Sequence, residues 1–375
     1  MFKDYMEVNL FYMLFDMGTM EMKEIDAKIL SGLSGYPLDE VDEDILIGED
    51  YNREEDAIMM IADMGEGRIA KLYRDKYVTD AVISEIEEMT SLVKDKLVEM
   101  VKEYTWLSDR GKEKLISKIK TATFFYGENS GCATYDDVVI GENSIQTILS
   151  FMASDRKQNK ERLVAEGGMA KDSINLFETN AEYSCDSNSV LLTFGVIKWL
   201  MDNSNASFEE KLGMTGCTIA HELSHSVAPM YIDMGRDGIY LDFYSDEEYE
   251  VIWNSSDAAA AVIDGFETDY GNVINGYACS EEFFTDLLSI DCCMRILGER
   301  ENADYDKFFV NYAKGYAMAI SPTTEESILR KDTHIPGKPR VNLALYQFDE
   351  LYETYCIAED NKYYVKPEER VTGYK

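Results

Sequence analysis

The stretch GCTIAHELSHSV, residues 216–227, sets His221 and His225 four apart, with Glu222 directly after the first histidine. On a helix, residues four apart share a face, so both imidazoles can point at one ion. Glu222 then projects alongside, near enough to take a proton from a water that such an ion activates. Two nitrogens and one carboxylate with an open fourth position suit zinc, which lowers the pKa of water and polarises a carbonyl. Hydrolysis of a peptide bond needs both effects. Only 3 histidines occur in the chain, so chance formation of this spacing is on the order of a few in a thousand. The bland alternative is a pair of core histidines on an amphipathic helix.

The third ligand decides the class of site. Position 231 is tyrosine, which excludes a third histidine six residues after His225. A carboxylate about twenty residues on meets Tyr244 and Ser245 instead, with Glu247 and Glu248 nearby. The better candidate lies in SEEFFTDLL, where Glu282 and Asp286 stand four apart on a predicted helix. Glu282 can complete the ligand set. Asp286 can accept a hydrogen bond from the other nitrogen of a ligating histidine, which fixes tautomer and orientation. Glu281 competes for the register, but its partner at that spacing is Thr285, which brings no carboxylate.

Several elements must hold these residues. Ile86, Met89, Val93, Leu97, Met100 and Tyr104 recur at helical spacing and predict a helix with one buried face. Ser108 is placed to cap a second helix through DRGKEKLISKIK. SINLFETNAEYS and SVLLTFGVI, parted by Cys185–Asn188, predict a hairpin. Ser207 with Glu210 reads as a capping box opening the helix that carries both histidines, ended by Ala228-Pro229. A third long helix is expected over YACSEEFFTDLLSIDCCMRIL. Pro322, Pro336 and Pro339 read as an ordered loop, followed by a helix from near Asn342.

Bulk composition narrows the partners. With 36 basic against 72 acidic residues, the net charge of −36 repels nucleic acid and anionic membrane surfaces. A hydrophobic content of 45% is enough for a globular core. The opening MFKDYMEVNLFYMLFDMG lacks the basic leader of a signal peptide, and no apolar run reaches membrane-spanning length. The 7 cysteines, without CxxC spacing, fit neither a disulfide framework nor a cysteine zinc cluster.

The order of motifs resembles the neprilysin and endothelin-converting-enzyme family of zinc metallopeptidases. TNAEYS resembles its N-A-x-Y substrate-binding strand, HELSH its zinc helix, EFFTD its third-ligand helix and DTHIPGKPRVN its late D-x-H-x-P-G-x-x-R-V-N segment. YTWLSDRGKEKLISKIKTA is similar to a helical segment before the family's catalytic half, and the resemblance runs from about residue 67 to the C-terminus. It implies that His221, His225 and Glu282 bind one zinc ion, with Asp286 orienting a ligating histidine. By the same resemblance Glu222 is general base and then proton donor, and His334 donates to the oxyanion. Asn180 and Ala181 would hold the substrate backbone, and Arg340 a substrate carbonyl beyond the cut.

Two departures stand out: Ser226-Val227 replace the usual Gly-Phe-Asp, and Leu287-Leu288-Ser289 replace Gly-Gly. The expected fold is α+β and mainly helical, with a zincin-like (gluzincin) catalytic domain over 106–375. Residues 1–105 are expected to be the remnant of a helical lobe that covers the active site. The expected activity is zinc-dependent endopeptidase action on peptides. The alternative is a weakly active or inactive zinc-bearing scaffold that binds peptides. A partner chain or a homo-oligomer could supply the rest of the lobe. Members of the family are often extracellular or surface-attached and some are cytoplasmic, so the compartment stays open.

Overall fold

Apolar residues at three- and four-residue spacing do build one long helix, and the helices that carry the histidines and Glu282 pack against it. The computed structural model describes residues 25, 28, 66–127, 135–165, 176–235 and 239–374. The expectation of helix over residues 1–65 otherwise lies outside the described residues. In chain order the helices begin with α1 (Glu66–Tyr77), α2 (Asp80–Glu103) and α3 (Asp109–Thr121), followed by strand β1 (Thr123–Tyr126) and helix α4 (Ser144–Ala165). Strands β2 (Ala181–Ser184) and β3 (Ser189–Leu192) lead into α5 (Phe194–Asp202), the short α6 (Phe208–Lys211) and α7 (Cys217–His225). Then come α8 (Asp246–Ile263), α9 (Ser280–Gly298), α10 (Tyr305–Gly315), α11 (Pro322–Lys331), α12 (Gly337–Leu345) and α13 (Asp349–Thr354). Among the described residues the architecture is mainly helical with one small sheet, as expected.

Backbone contacts divide the chain into two units, one of residues 1–72 with 131–170 and one of 73–130 with 171–375. In the first, α4 carries Ser154 and Lys157, which both donate to Asp137, the latter at 2.9 Å. The second holds everything discussed below. Its α2 buries Ile86, Met89, Val93, Leu97 and Met100, and the Thr79 hydroxyl accepts from Val82 N at its start. Each such side chain, fully withdrawn from water, stabilises by about 1.5–3 kcal/mol before chain entropy is counted. Ser108 caps α3 as predicted, accepting from Gly111 N. α7 packs on α9, and α2 supports both.

The sheet has strand order β1-β3-β2, with β1 parallel and β2 antiparallel to β3, so β2 is an edge among the described residues. The predicted hairpin is present but shorter than its sequence. Phe194–Ile197, read as strand, begin helix α5. The Thr193 hydroxyl donates to the carbonyls of Glu178 and Asn180, which turns the chain out of the sheet. The prolines also differ from expectation. Pro322 starts α11, where its missing N–H costs nothing. Pro339 lies in the first turn of α12, so that helix begins at Gly337 rather than near Asn342.

Candidate active site

The helix bearing the histidines is not continuous. Ser207 and Glu210 form the predicted capping box, then Leu212–Gly216 make a π turn before α7 resumes the α pattern. The extra residue lets the chain pass α10 at close range: a Cβ on Gly213 would sit 2.4 Å from the Phe308 carbonyl oxygen. α7 ends at His225, short of the expected Ala228, and Ser226 then donates its hydroxyl to Leu223 O. Tyr374 from the chain's end donates to Val227 O at 2.8 Å and fixes the segment beyond.

Two turns thus present His221 and His225 on one face of α7 toward the first turns of α9. Nε2 of His221 lies 3.1 Å from Oε2 of Glu282, and Nε2 of His225 lies 3.7 Å from Oε1 of the same carboxylate. One ligand atom from each of these residues falls within 4.8 Å of the others, the spread a single ion can span. The donor set of two imidazoles and one carboxylate fits zinc. Asp286, buried on α9, stands 2.9 Å from His221 Nδ1 at ion-pair distance, although off the line of a well-aligned hydrogen bond. Arg340 grips both oxygens of the same carboxylate, Nε donating to Oδ2 at 2.6 Å and Nη2 to Oδ1, the oxygen beside His221, at 2.8 Å.

The electrostatics favour a cation. Burial works against a charged His221, yet Asp286, Glu282 and Glu222 outweigh it and push its pKa up to about 10. Burial likewise opposes ionisation of Glu282 and Asp286, but the three histidines hold the first, and Arg340 with His221 the second, below the usual carboxyl range. For His334, burial is overcome by Glu282 and Asp332, which raise it. Its Nδ1 lies 2.6 Å from Asp332 Oδ1 and its Nε2 3.0 Å from Glu282 Oε2.

These groups open on a cleft of about 1110 Å³. Every site residue that the family resemblance implies, Asp286 excepted, lines it: Asn180, Ala181, His221, Glu222, His225, Glu282, His334 and Arg340. Asn180 immediately precedes β2, and Ala181 opens that edge strand. Arg340 sits on α12 rather than in a loop, buried, its guanidinium 4.5 Å from the centre of the Tyr316 ring. Glu248, weighed as a third ligand, is instead taken up by the cap of α8 and by Ser108 N, at 2.8 Å.

The sequence reading missed the surroundings of His225. Glu281 is the register competitor whose four-residue partner, Thr285, brings no carboxylate; its own Oε1 lies 3.7 Å from His225 Nδ1, and the Thr285 hydroxyl is 3.4 Å from the same nitrogen. Two tyrosines frame the ring, Tyr183 near-parallel at 6.4 Å and Tyr231 edge-on at 6.0 Å. The alternation of Ala181 and Tyr183 along one strand face was the available signal for the first.

Residues 180–371 match Peptidase family M13, a span that contains all of these side chains. The chain belongs to this family. Among curated relatives, this M13 chain is 26% identical over 316 residues to the neutral endopeptidase of Lactococcus lactis subsp. lactis (strain IL1403), covering 81% of this chain and 48% of that one. Neprilysin of Oryctolagus cuniculus is 19% identical over 333 residues, covering 81% and 44%. The chain therefore spans about half the length of the curated relatives it matches. The crystal structure of PepO from Lactobacillus rhamnosis HN001 superposes with a TM-score of 0.76 at 22% identity, over 85% of this chain and 51% of that chain. The Mycobacterium tuberculosis zinc metalloprotease Zmp1, solved with an inhibitor, gives 0.73 at 16% identity, over 86% and 51%. The fold is that of M13 peptidases. No helix among the described residues is long and apolar enough to cross a membrane.

Proposed function

We propose that the chain is a zinc-dependent metalloendopeptidase that hydrolyses internal bonds of peptides. The convergence of His221, His225 and Glu282 beside Glu222, on the floor of a cleft walled by an edge strand, carries this reading. Those three residues would hold one zinc ion, and Asp286 would keep His221 in the orientation that offers Nε2. Zinc, when bound, supplies Lewis-acid polarisation of the scissile carbonyl and acidification of water.

The chain's own groups do the rest. The outer edge of β2 at Ala181, whose N–H donates to Asn180 Oδ1 at 2.9 Å until substrate takes that place, receives the substrate as an added extended strand. Glu222 removes a proton from the attacking water as its oxygen bonds to the carbonyl carbon. It then delivers that proton to the amine nitrogen as the C–N bond breaks. His334 donates to the oxygen that gains negative charge in between. Arg340, anchored by Asp286 and Tyr316, meets a substrate carbonyl beyond the cut.

The decisive experiment is Glu222→Gln, assayed by mass-spectrometric mapping of a peptide library together with metal content. Cleavage should fall by about 10²- to 10⁴-fold while zinc content and fold are kept. Cleavage at the wild-type rate would remove Glu222 as base. Zinc-loaded wild type that binds peptides but cuts none would favour the scaffold alternative. Light scattering on the active species tests a partner chain or oligomer: a strict monomer with full turnover needs neither.

A further inference from the structure

A second cavity, of about 610 Å³, lies behind the segment that carries His334 and Arg340. Its walls come from the turn Phe266–Val273, from Met318–Ile320 and from the Pro336–Pro339 start of α12. The partition toward the catalytic cleft is thin. A Cβ on Gly337 would meet the Tyr316 carbonyl oxygen at 1.9 Å, so the two wall segments are in direct contact. Tyr316, His334 and Arg340 face the cleft from this partition, while Met318, Pro336 and Pro339 face the cavity.

The lining combines two features. One is aromatic and apolar surface left open to water: Phe266, Tyr270, Met318 and Tyr363 are 38%, 51%, 51% and 48% exposed, and Tyr346 stacks on Tyr363 at 5.5 Å. The other is Glu325, only 5% exposed, on the first turn of α11. Its Oε2 accepts from the Thr268 hydroxyl at 2.6 Å and from Asn272 Nδ2 at 2.8 Å. These neutral donors fix the carboxylate but leave its charge unmatched. Among the described residues no cation pairs with it, and Lys338, the basic group in the wall, is taken by Asp269. A buried carboxylate gains most from a charge-assisted partner, and aromatic faces add to the attraction for a cation.

We propose that this cavity binds a small organic amine: an ammonium group paired with Glu325, and an aromatic or branched apolar body packed against Phe266, Tyr346 and Tyr363. The volume suits a compact ligand of drug size or below. Bound there, the amine lies against the back of the segment that carries His334 and Arg340, outside the peptide cleft.

The test is calorimetric titration of the full chain with 2-phenylethylamine, and with 2-phenylethanol as the uncharged counterpart. The amine should bind saturably and at least about tenfold tighter than the alcohol, since an ion pair in place of a neutral hydrogen bond is worth about one power of ten or more. Glu325→Gln, which still accepts from Thr268 and Asn272, should remove that preference. Ala319→Trp, at an exposed wall position, should block both probes by filling the cavity. Binding should persist after chelation of metal, so the result stands apart from whether the chain is a zinc peptidase. Equal binding of amine and alcohol, or amine binding that survives both substitutions or is lost on chelation, would overturn the assignment.

Discussion

Arg340 reaches across from α12 to grip Asp286 with two hydrogen bonds, at 2.6 and 2.8 Å, and both residues are buried. Asp286 at the same time stands 2.9 Å from Nδ1 of His221. One carboxylate therefore joins the late segment of the chain to the histidine helix. The guanidinium lets Asp286 stay ionised despite its burial, and an ionised Asp286 is what can hold the His221 ring.

Asp286→Asn keeps the shape and removes the charge, leaving buried Arg340 with only the more distant Glu282 carboxylate, at 3.7 Å, as a counter-ion. Breaking one side of such a pair is expected to cost about 3–5 kcal/mol of stability. Zinc affinity should drop by about 10- to 100-fold, because the imidazole loses its anchor. Arg340→Met in the Asp286→Asn background should regain part of the stability but none of the metal affinity. Urea denaturation and competitive zinc titration measure the two separately. If zinc affinity stays at the wild-type value in Asp286→Asn, the aspartate does not orient the histidine.

Lys118 supplies a pH test away from the metal. It is buried on α3 and donates to the Tyr231 carbonyl at 2.7 Å, tying down the segment whose ring flanks His225. Burial, helped by nearby Lys114, lowers its pKa to about 7 from the ordinary 10.5. Between those values the unfolded chain holds a proton that the folded chain does not, so stability must rise with pH across that window. The slope from this group is at most about 1.4 kcal/mol per pH unit. Over pH 7–8.5 the cysteines contribute the same slope to both proteins, so Lys118→Met should show a flatter stability curve than wild type. Parallel curves would mean that the lysine stays charged in the fold.

How far these arrangements could be read in advance depended on whether they were local. Helix α2 and the Ser108 cap follow from spacing and a single hydroxyl, and both appear as expected. So does the face shared by His221 and His225, since four-residue spacing is a property of the helix alone. Glu282 and Asp286 were also legible, because the same spacing and an adjacent apolar stripe mark one face of α9. What the sequence hid is set by packing between distant segments. The π turn at Leu212–Gly216 answers to α10, and the fork of Arg340 on Asp286 joins residues 54 apart. The approach of Glu281 to His225 was hidden because that histidine lies on another helix. The early ending of strand β3 depended on the Thr193 hydroxyl bonding backward to Glu178 and Asn180, a choice no alternation pattern encodes.

The π turn itself can be tested. Gly213 has no room for a methyl group, because the neighbour at 2.4 Å is backbone of α10 rather than a movable side chain. Gly213→Ala should destabilise by about 1–3 kcal/mol as the two helices are pushed apart. It should also weaken zinc binding, since α7 begins directly after the turn, whereas Gly298→Ala, whose nearest contact is 3.5 Å away, should change neither. Denaturation midpoints and zinc titrations of the two variants make the comparison. An unaltered zinc affinity in Gly213→Ala would show that the turn does not set the position of α7.

Removal of the metal should be felt by the whole catalytic unit. Glu282 is on α9 and the histidines are on α7, so an ion shared among them crosslinks two helices that form the floor of the cleft. A ligand that binds only the folded chain stabilises by about 4 kcal/mol when present at roughly a thousand times its dissociation constant. Zinc added to chelator-treated protein should therefore raise the unfolding midpoint and make it depend on zinc concentration. Glu282→Gln retains size and hydrogen bonding but loses the anionic donor, and its midpoint should respond far less. Scanning calorimetry of both proteins across a zinc series reads this directly. If the variant responds as strongly as wild type, the ion is held by other residues, and the site must be sought elsewhere among the chain's many carboxylates.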